Sequence, residues 1–133
     1  MYTMKDVCKE LNISYDTLKF YCNEGLIPNV KRNENNHRVF NELDINWIKG
    51  LQCLRKCGMS IKDMKQYMEY CLIGEASIPE RKEMLEVTRK HLEEKHQEII
   101  DSLEYIDNKQ KFYDDVLSGK IPYYSNIIKT DES

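Results

Sequence analysis

Apolar residues fall at helical spacing along most of this 133-residue chain, and the interruptions are as informative as the runs. Met4, Val7, Cys8 and Leu11 make one apolar stripe. It opens at Thr3-Met4-Lys5-Asp6, a capping box in which hydroxyl and carboxylate each satisfy an orphan backbone N–H. Asn12-Ile13-Ser14 then predicts a tight turn, with Ser14 as the next N-cap. A second helix is expected over about 15–23, with Leu18, Tyr21 and Cys22 on its inner face, Gly25 ending it and Pro28 blocking continuation. Two short helices joined by such a turn form a helix-turn-helix.

The pattern then changes period. Val30-Lys31-Arg32 and Arg38-Val39-Phe40 predict two paired strands around an Asn-rich turn, a hairpin wing directly after the helix-turn-helix. Asn41 caps a third predicted helix, about 42–57, with Leu43, Ile45, Trp47, Ile48, Leu51 and Leu54 mostly inward and Gly58 as its stop. Ser60-Ile61-Lys62-Asp63 reads as a capping box for a fourth helix to about Cys71, and Ser77-Ile78-Pro79-Glu80 as a third. From there no breaker occurs before Gly119. Ile78, Leu85, Leu92, Ile99, Ile106 and Tyr113 recur every seven residues, the seam of one long helix. The companion positions are mixed, with Arg89, His96 and Gln110 among Leu103 and Leu117. About 39 residues at ~1.5 Å each reach roughly 58 Å, too long to bury a stripe on a domain of about 75 residues. The expected partner is the same helix of a second chain. The organisation predicted is a winged helix-turn-helix over 1–75, a dimerisation helix over 76–118 and a short tail over 119–133.

Charge sharpens this division. The net charge is −3, but residues 1–70 carry 11 Lys/Arg against 9 Asp/Glu, and residues 71–133 carry 9 against 14. A mildly basic first half and an acidic second half predict two separate jobs. The opening MYTMKDVCKE is polar, and no apolar run approaches the ~18 residues of a membrane span, so no signal peptide and a cytoplasmic location are expected.

The separated motifs occur in an order that resembles the MerR family of bacterial transcription regulators. YTMKDVCKELNISYDTLKFYCNEGLIP, NHRVF and GMSIKDMKQYM carry the resemblance, which covers about residues 2–117. It implies a mainly α fold, a winged helix-turn-helix DNA-binding domain followed by a long antiparallel coiled-coil dimerisation helix. It implies a homodimer on an inverted-repeat operator, between promoter elements set too far apart. Effector-induced distortion of that DNA would realign them for RNA polymerase, and bending or untwisting a duplex costs only a few kcal/mol. The DNA-binding residues implied are Tyr15, Asp16, Thr17, Lys19, Phe20 and Tyr21 in the second helix, and Lys31, Arg32, His37 and Arg38 in the wing. Departures from the family pattern bear on the operator sequence. Lys19 stands where Arg is usual and offers a point charge in place of a planar fork. Phe20 replaces a Tyr, Cys22 an acidic residue, and Asn36-His37 the usual Gly-Tyr.

Five cysteines, 8, 22, 53, 57 and 71, show no C-x-x-C pair, so neither a disulfide scaffold nor a zinc knuckle is indicated. Cys8 and Cys22 fit core packing. Cys53 and Cys57 share a helix face but lack further ligands in nearby sequence, so no metal and no cofactor are expected. LQCLRKCGM also resembles the aldehyde- and nitrosative-stress branch of the family, in which Cys53 would be a thiol sensor beside Arg55 and Lys56. His91 and His96, five apart, do not form a metal clip. No Gly-rich phosphate loop or nucleophile–base motif points to an enzyme. The remaining rival is a coiled-coil adaptor whose winged domain binds protein, and steep salt dependence of binding separates phosphate recognition from it.

Overall fold

A computed structural model describes residues 1–130. Residues 131–133, the end of the expected tail, lie outside the described residues. The chain divides into two compact units, Met1–Leu92 and the segment from Glu93 onward.

The first unit opens with strand β1 (Tyr2–Thr3) running straight into helix α1 (Met4–Leu11). The expected capping box is formed. Thr3 Oγ1 accepts from the Asp6 N–H at 3.1 Å and the Asp6 carboxylate accepts from the Thr3 N–H at 3.0 Å. Asn12 takes the left-handed conformation, φ 51°, and closes α1. Helix α2 (Tyr15–Asn23) starts at Ser14, whose Oγ accepts from the Thr17 N–H. Strands β2 (Lys31–Arg32) and β3 (Arg38–Phe40) pair antiparallel as the wing.

The sheet has a third strand that the sequence pattern did not show. β1 pairs antiparallel with β3, Tyr2 opposite Phe40 and Thr3 opposite Val39, so the order is β1-β3-β2. The physical reason is the cap itself. An N-cap residue must be extended, and Thr3 (φ −82°, ψ 171°) is, so its backbone is already shaped for a sheet. A two-residue strand is too short to leave an alternating pattern.

Helix α3 (Glu42–Lys56) begins with a second complete capping box, Asn41 with Asp44. Helix α4 (Ile61–Ile73) begins at Ser60, which accepts from the Asp63 N–H, and runs two residues past the expected end. Leu18, Leu26, Phe40, Ile48, Leu51 and Met64 form the fully buried centre between these helices and the sheet. Leu43, expected inward, is 77 % exposed. It lies in the first turn of α3, where Asp44 and Ile45 take the buried positions instead. The Trp47 indole N–H donates to the Leu26 carbonyl at 2.7 Å, tying α3 to the loop after α2. Lys65 and Glu24 form an ion pair at 3.0 Å that braces α4 against the end of α2.

The third expected capping box does not form. Ser77 lies within a 3-10 turn (Glu75–Ser77), is buried, and turns its hydroxyl backward to donate to the carbonyls of Tyr70 and Gly74. Arg81 closes the joint by donating from Nε to Ser77 Oγ and from Nη2 to the Gly74 carbonyl. The chain is already wound when it reaches Ser77, so the extended backbone of an N-cap is not available there.

Helix α5 (Ile78–Leu117) has 40 residues. The seam positions Leu85, Leu92, Ile99, Ile106 and Tyr113 are all exposed, and α5 buries no residue within the chain. Gly119, at φ 82°, follows its end. No helix among the described residues is long and apolar enough to cross a membrane.

Candidate nucleic-acid interface

Helix α2 is held from behind and bare in front. Leu18 and Tyr21 are buried, while Tyr15, Asp16, Lys19 and Phe20 are exposed. The spacing explains this. Tyr15 with Lys19, and Asp16 with Phe20, are four apart and share the outer face. Two aromatic side chains stand at the surface there, Tyr15 at 54 % and Phe20 at 45 % exposed. Thr17 is half-buried, and its Oγ1 accepts from the Ser14 hydroxyl at 2.8 Å. Of the ten residues named from the sequence, Tyr21 is the one the fold places in the core, 4 % exposed, where burial pushes its phenol pKa up.

The wing is built by its own tip. Asn33 Oδ1 accepts from the N–H groups of Asn35 and His37, and the Asn33 and His37 backbones close the loop at 2.9 Å. Asn36 sits at φ 62°, the conformation glycine usually supplies, and Asn is among the few other residues that tolerate it. Arg32 donates to the Asn36 carbonyl at 2.8 Å and stiffens the tip. Arg38 does a different job: its Nη2 donates to Asn23 Oδ1 at 2.8 Å, joining the wing to the last turn of α2. Lys31, Arg32 and His37 are exposed, and Arg38 is half-buried. Lys31, Arg32, Arg38 and the imidazole of His37 thus stand on the wing beside the exposed face of α2.

A shallow hollow at the start of α2 adds two residues that the sequence reading did not assign to DNA. Asn12, Ser14, Thr17, Tyr21, Arg55 and Lys56 are among its lining. One guanidinium N–H of Arg55 donates to the Met59 carbonyl at 2.9 Å. The hollow therefore combines the N-terminus of a helix, a hydroxyl and two cations, a combination suited to a phosphate group. The signal was the adjacent Arg-Lys pair just before the stop at Gly58, read from sequence only as neighbours of Cys53.

Cys8 and Cys22 are half-buried against the core, and burial raises both thiols. Cys53 is exposed and Cys57 half-buried. Within one chain Cys53, the thiol sensor that the resemblance implies, is therefore open to solvent and not packed in the core. Among the described residues no cluster of His, Cys, Asp and Glu could hold a metal ion.

Comparison with known proteins agrees with this geometry. The family model described as MerR HTH family regulatory protein matches residues 2–71. An uncharacterized HTH-type transcriptional regulator of Haemophilus influenzae is 38 % identical over 112 residues, covering 84 % of this chain and 83 % of its own length. The HTH-type transcriptional regulator AdhR of Bacillus subtilis is 36 % identical over 86 residues, covering 65 % of this chain and 61 % of AdhR. Among solved structures, HiNmlR, a MerR family regulator lacking the sensor domain and bound to promoter DNA, superposes with a TM-score of 0.77 at 37 % identity, covering 88 % of this chain and 89 % of HiNmlR. A putative MerR family transcriptional regulator from Listeria monocytogenes gives a TM-score of 0.81 at 29 % identity, covering 90 % of each chain. With its helix-turn-helix, its wing and its long final helix, the chain belongs to the MerR family of helix-turn-helix transcriptional regulators, a family of regulators and not of enzymes.

Proposed function

We propose that this protein binds promoter DNA in the cytoplasm as a homodimer, on an inverted-repeat operator, and distorts that DNA in response to a signal so that RNA polymerase can use the promoter. The observation that carries the reading is the Arg38–Asn23 hydrogen bond, which holds the basic wing beside the exposed face of α2. Such a unit meets a duplex at two places. Tyr15, Asp16, Thr17, Lys19 and Phe20 enter the major groove, and Lys31, Arg32, His37 and Arg38 hold the flanking backbone. Tyr21 works from the core, positioning α2. Arg55, Lys56 and the start of α2 add a further phosphate contact. Dimerisation runs through Leu85, Leu92, Ile99, Ile106 and Tyr113, whose exposure in a single chain calls for a partner.

The test is binding to a promoter duplex and to a random duplex across a salt series. Phosphate contacts require affinity to fall steeply as salt rises, with the promoter preferred throughout. A flat salt response would favour the protein-binding adaptor. Sedimentation supplies the second check, because a chain that stays monomeric at micromolar concentration removes the dimer.

The exposure of Cys53 supports one reading of the signal: this thiol is the site at which a small electrophile acts. In vitro transcription with a small aldehyde should respond in the wild type and not in Cys53→Ser. Equal responses in the two proteins would end the thiol reading and direct attention to a reversible effector.

A further inference from the structure

The wing divides its charge between two faces. Side chains alternate along a strand, so Arg38 shares the face of the buried Phe40, and His37 falls with Val39 on the other. Pairing carries the division across the hairpin, because residues directly opposite one another share a face. Arg32 lies opposite Arg38, and Lys31 opposite Val39. Arg32 and Arg38 therefore belong to the inner face, where Arg38 reaches Asn23 of α2. Lys31 and His37 belong to the outer one.

The two faces differ in kind. The inner face holds two permanent guanidinium charges. The outer face holds one ammonium and one imidazole, and histidine is the side chain that ordinarily changes charge between about pH 5 and 8. His37 is exposed while its backbone is fixed: Asn33 Oδ1 accepts from its N–H at 3.0 Å, and its carbonyl accepts from the Asn33 N–H at 2.9 Å. The ring is thus presented at a set place beside the tip and takes no part in the core. Around it, hairpin residues 30–40 contain the cations Lys31, Arg32 and Arg38 and one acid, Glu34. Helix α2, to which the wing is tied, carries Asp16, Lys19 and Glu24, and Glu24 is paired with Lys65.

From the face assignment, the fixed backbone and the chemistry of the ring, we infer that the outer face of the wing takes a DNA phosphate through His37 in its protonated form only, so that DNA binding is coupled to the uptake of one proton per wing. This rests on the DNA-binding reading proposed above and adds a pH dependence to it. Phosphate oxygens only accept. A neutral imidazole offers them one N–H and turns a lone pair to the other side; the protonated ring offers two N–H donors and a charge. The ring gains an anionic partner in the complex, which favours its charged form. The complex therefore holds the proton more firmly than the free protein does. Binding tightens as pH falls through the imidazole range, and the gain is lost above it.

A phosphate contact does not depend on base sequence, so the probe is a fluorescent duplex of random sequence. Anisotropy titrations with the full-length wild type, His37→Gln and His37→Lys are run across a salt series at about pH 6 and about pH 8, which bracket the imidazole range. Each phosphate contact adds about 0.9 to the slope of log affinity against log salt, so the wild-type dimer should be steeper by about 1.8 at the lower pH. His37→Gln should keep the shallower slope at both pH values, and His37→Lys, permanently charged, the steeper one. His91 and His96 lie in α5 and are common to all three proteins, so their titration cancels. A wild-type slope that ignores pH removes the contact. A His37→Gln slope that shifts as much as the wild type's gives the proton to another group and equally overturns the inference. Failure of the DNA-binding reading looks different: affinity would then be insensitive to salt in all three proteins at both pH values, and the inference would fall with it.

Discussion

Arg38 is asked to do two things, and the two can be measured apart. Its guanidinium donates to Asn23 Oδ1 at 2.8 Å, and the proposed interface also gives it a phosphate. Arg38→Ala removes both; Asn23→Ala removes only the tether. Hydrogen bonds involving a charged group contribute about 1.5–3 kcal/mol, but this one is at a half-exposed site, so about 1 kcal/mol per half-site is the expected magnitude. That loss is independent of the duplex and largely independent of salt. The phosphate contribution behaves differently. Each phosphate contact adds about 0.9 to the slope of log affinity against log salt, so a dimer losing two contacts changes slope by about 1.8. Between about 50 and about 200 mM salt, the wild-type advantage over Arg38→Ala should shrink about 12-fold. Asn23→Ala should weaken binding by a similar factor at every salt concentration and keep the wild-type slope. Fluorescence anisotropy on promoter and random duplexes provides both numbers. An Arg38→Ala slope equal to wild type would remove Arg38 from the phosphate contacts and leave it as a tether alone.

Four other outcomes are expected. Leu18→Ala, beneath the exposed face of α2, should lower unfolding stability by about 2–5 kcal/mol in urea titrations, and a loss well under 1 kcal/mol would contradict its full burial. Asn36→Gly should be tolerated, whereas Asn36→Val should cost about 1–2 kcal/mol because a β-branched residue is forced to positive φ; thermal unfolding of the pair decides this. With a maleimide near neutral pH, Cys53 should be labelled before Cys8 and Cys22, which burial both shields and shifts upward, and peptide mass spectrometry at short times would expose the reverse order. The Asp6 carboxyl is held below its ordinary value of 3.8, chiefly by the Thr3 backbone N–H and then by the rest of the capping box. Its stabilisation is therefore present above that value and lost as pH falls through the lower folded value. An acid unfolding series should show the gap between wild type and Asp6→Asn closing as pH falls below the ordinary carboxylate value, and a constant gap would argue against the cap.

Most of the fold was legible because its boundaries are chemical. Thr3, Ser14, Asn41 and Ser60 each mark a helix start, and the structure begins a helix after each of them. What escaped was what depends on neighbours in space. β1 is two residues long and defined by its partner strand. Leu43 carried the right hydrophobicity for a core residue, but in the first turn of α3 it is Asp44, bound to the Asn41 cap, and Ile45 that are buried. Ser77 matched a capping box in sequence, yet the preceding turn had already consumed the extended backbone that a cap requires. At the candidate interface, α2 and the wing could be read directly as elements. The nearness of Arg55 and Lys56 to the start of α2 could not, since it is tertiary.

The strand order has a consequence for how the wing moves. β3 is the middle strand and has a neighbour on both sides; β2 is an edge. The wing therefore has one stiff leg and one loose leg. Amide hydrogens along Arg38–Phe40 should exchange slowly, and those of Lys31–Arg32 quickly, in the protein without DNA. In the proposed complex the edge leg would have order still to gain, so the entropy cost of seating the wing would fall on Lys31 and Arg32, while Arg38 would arrive already in place.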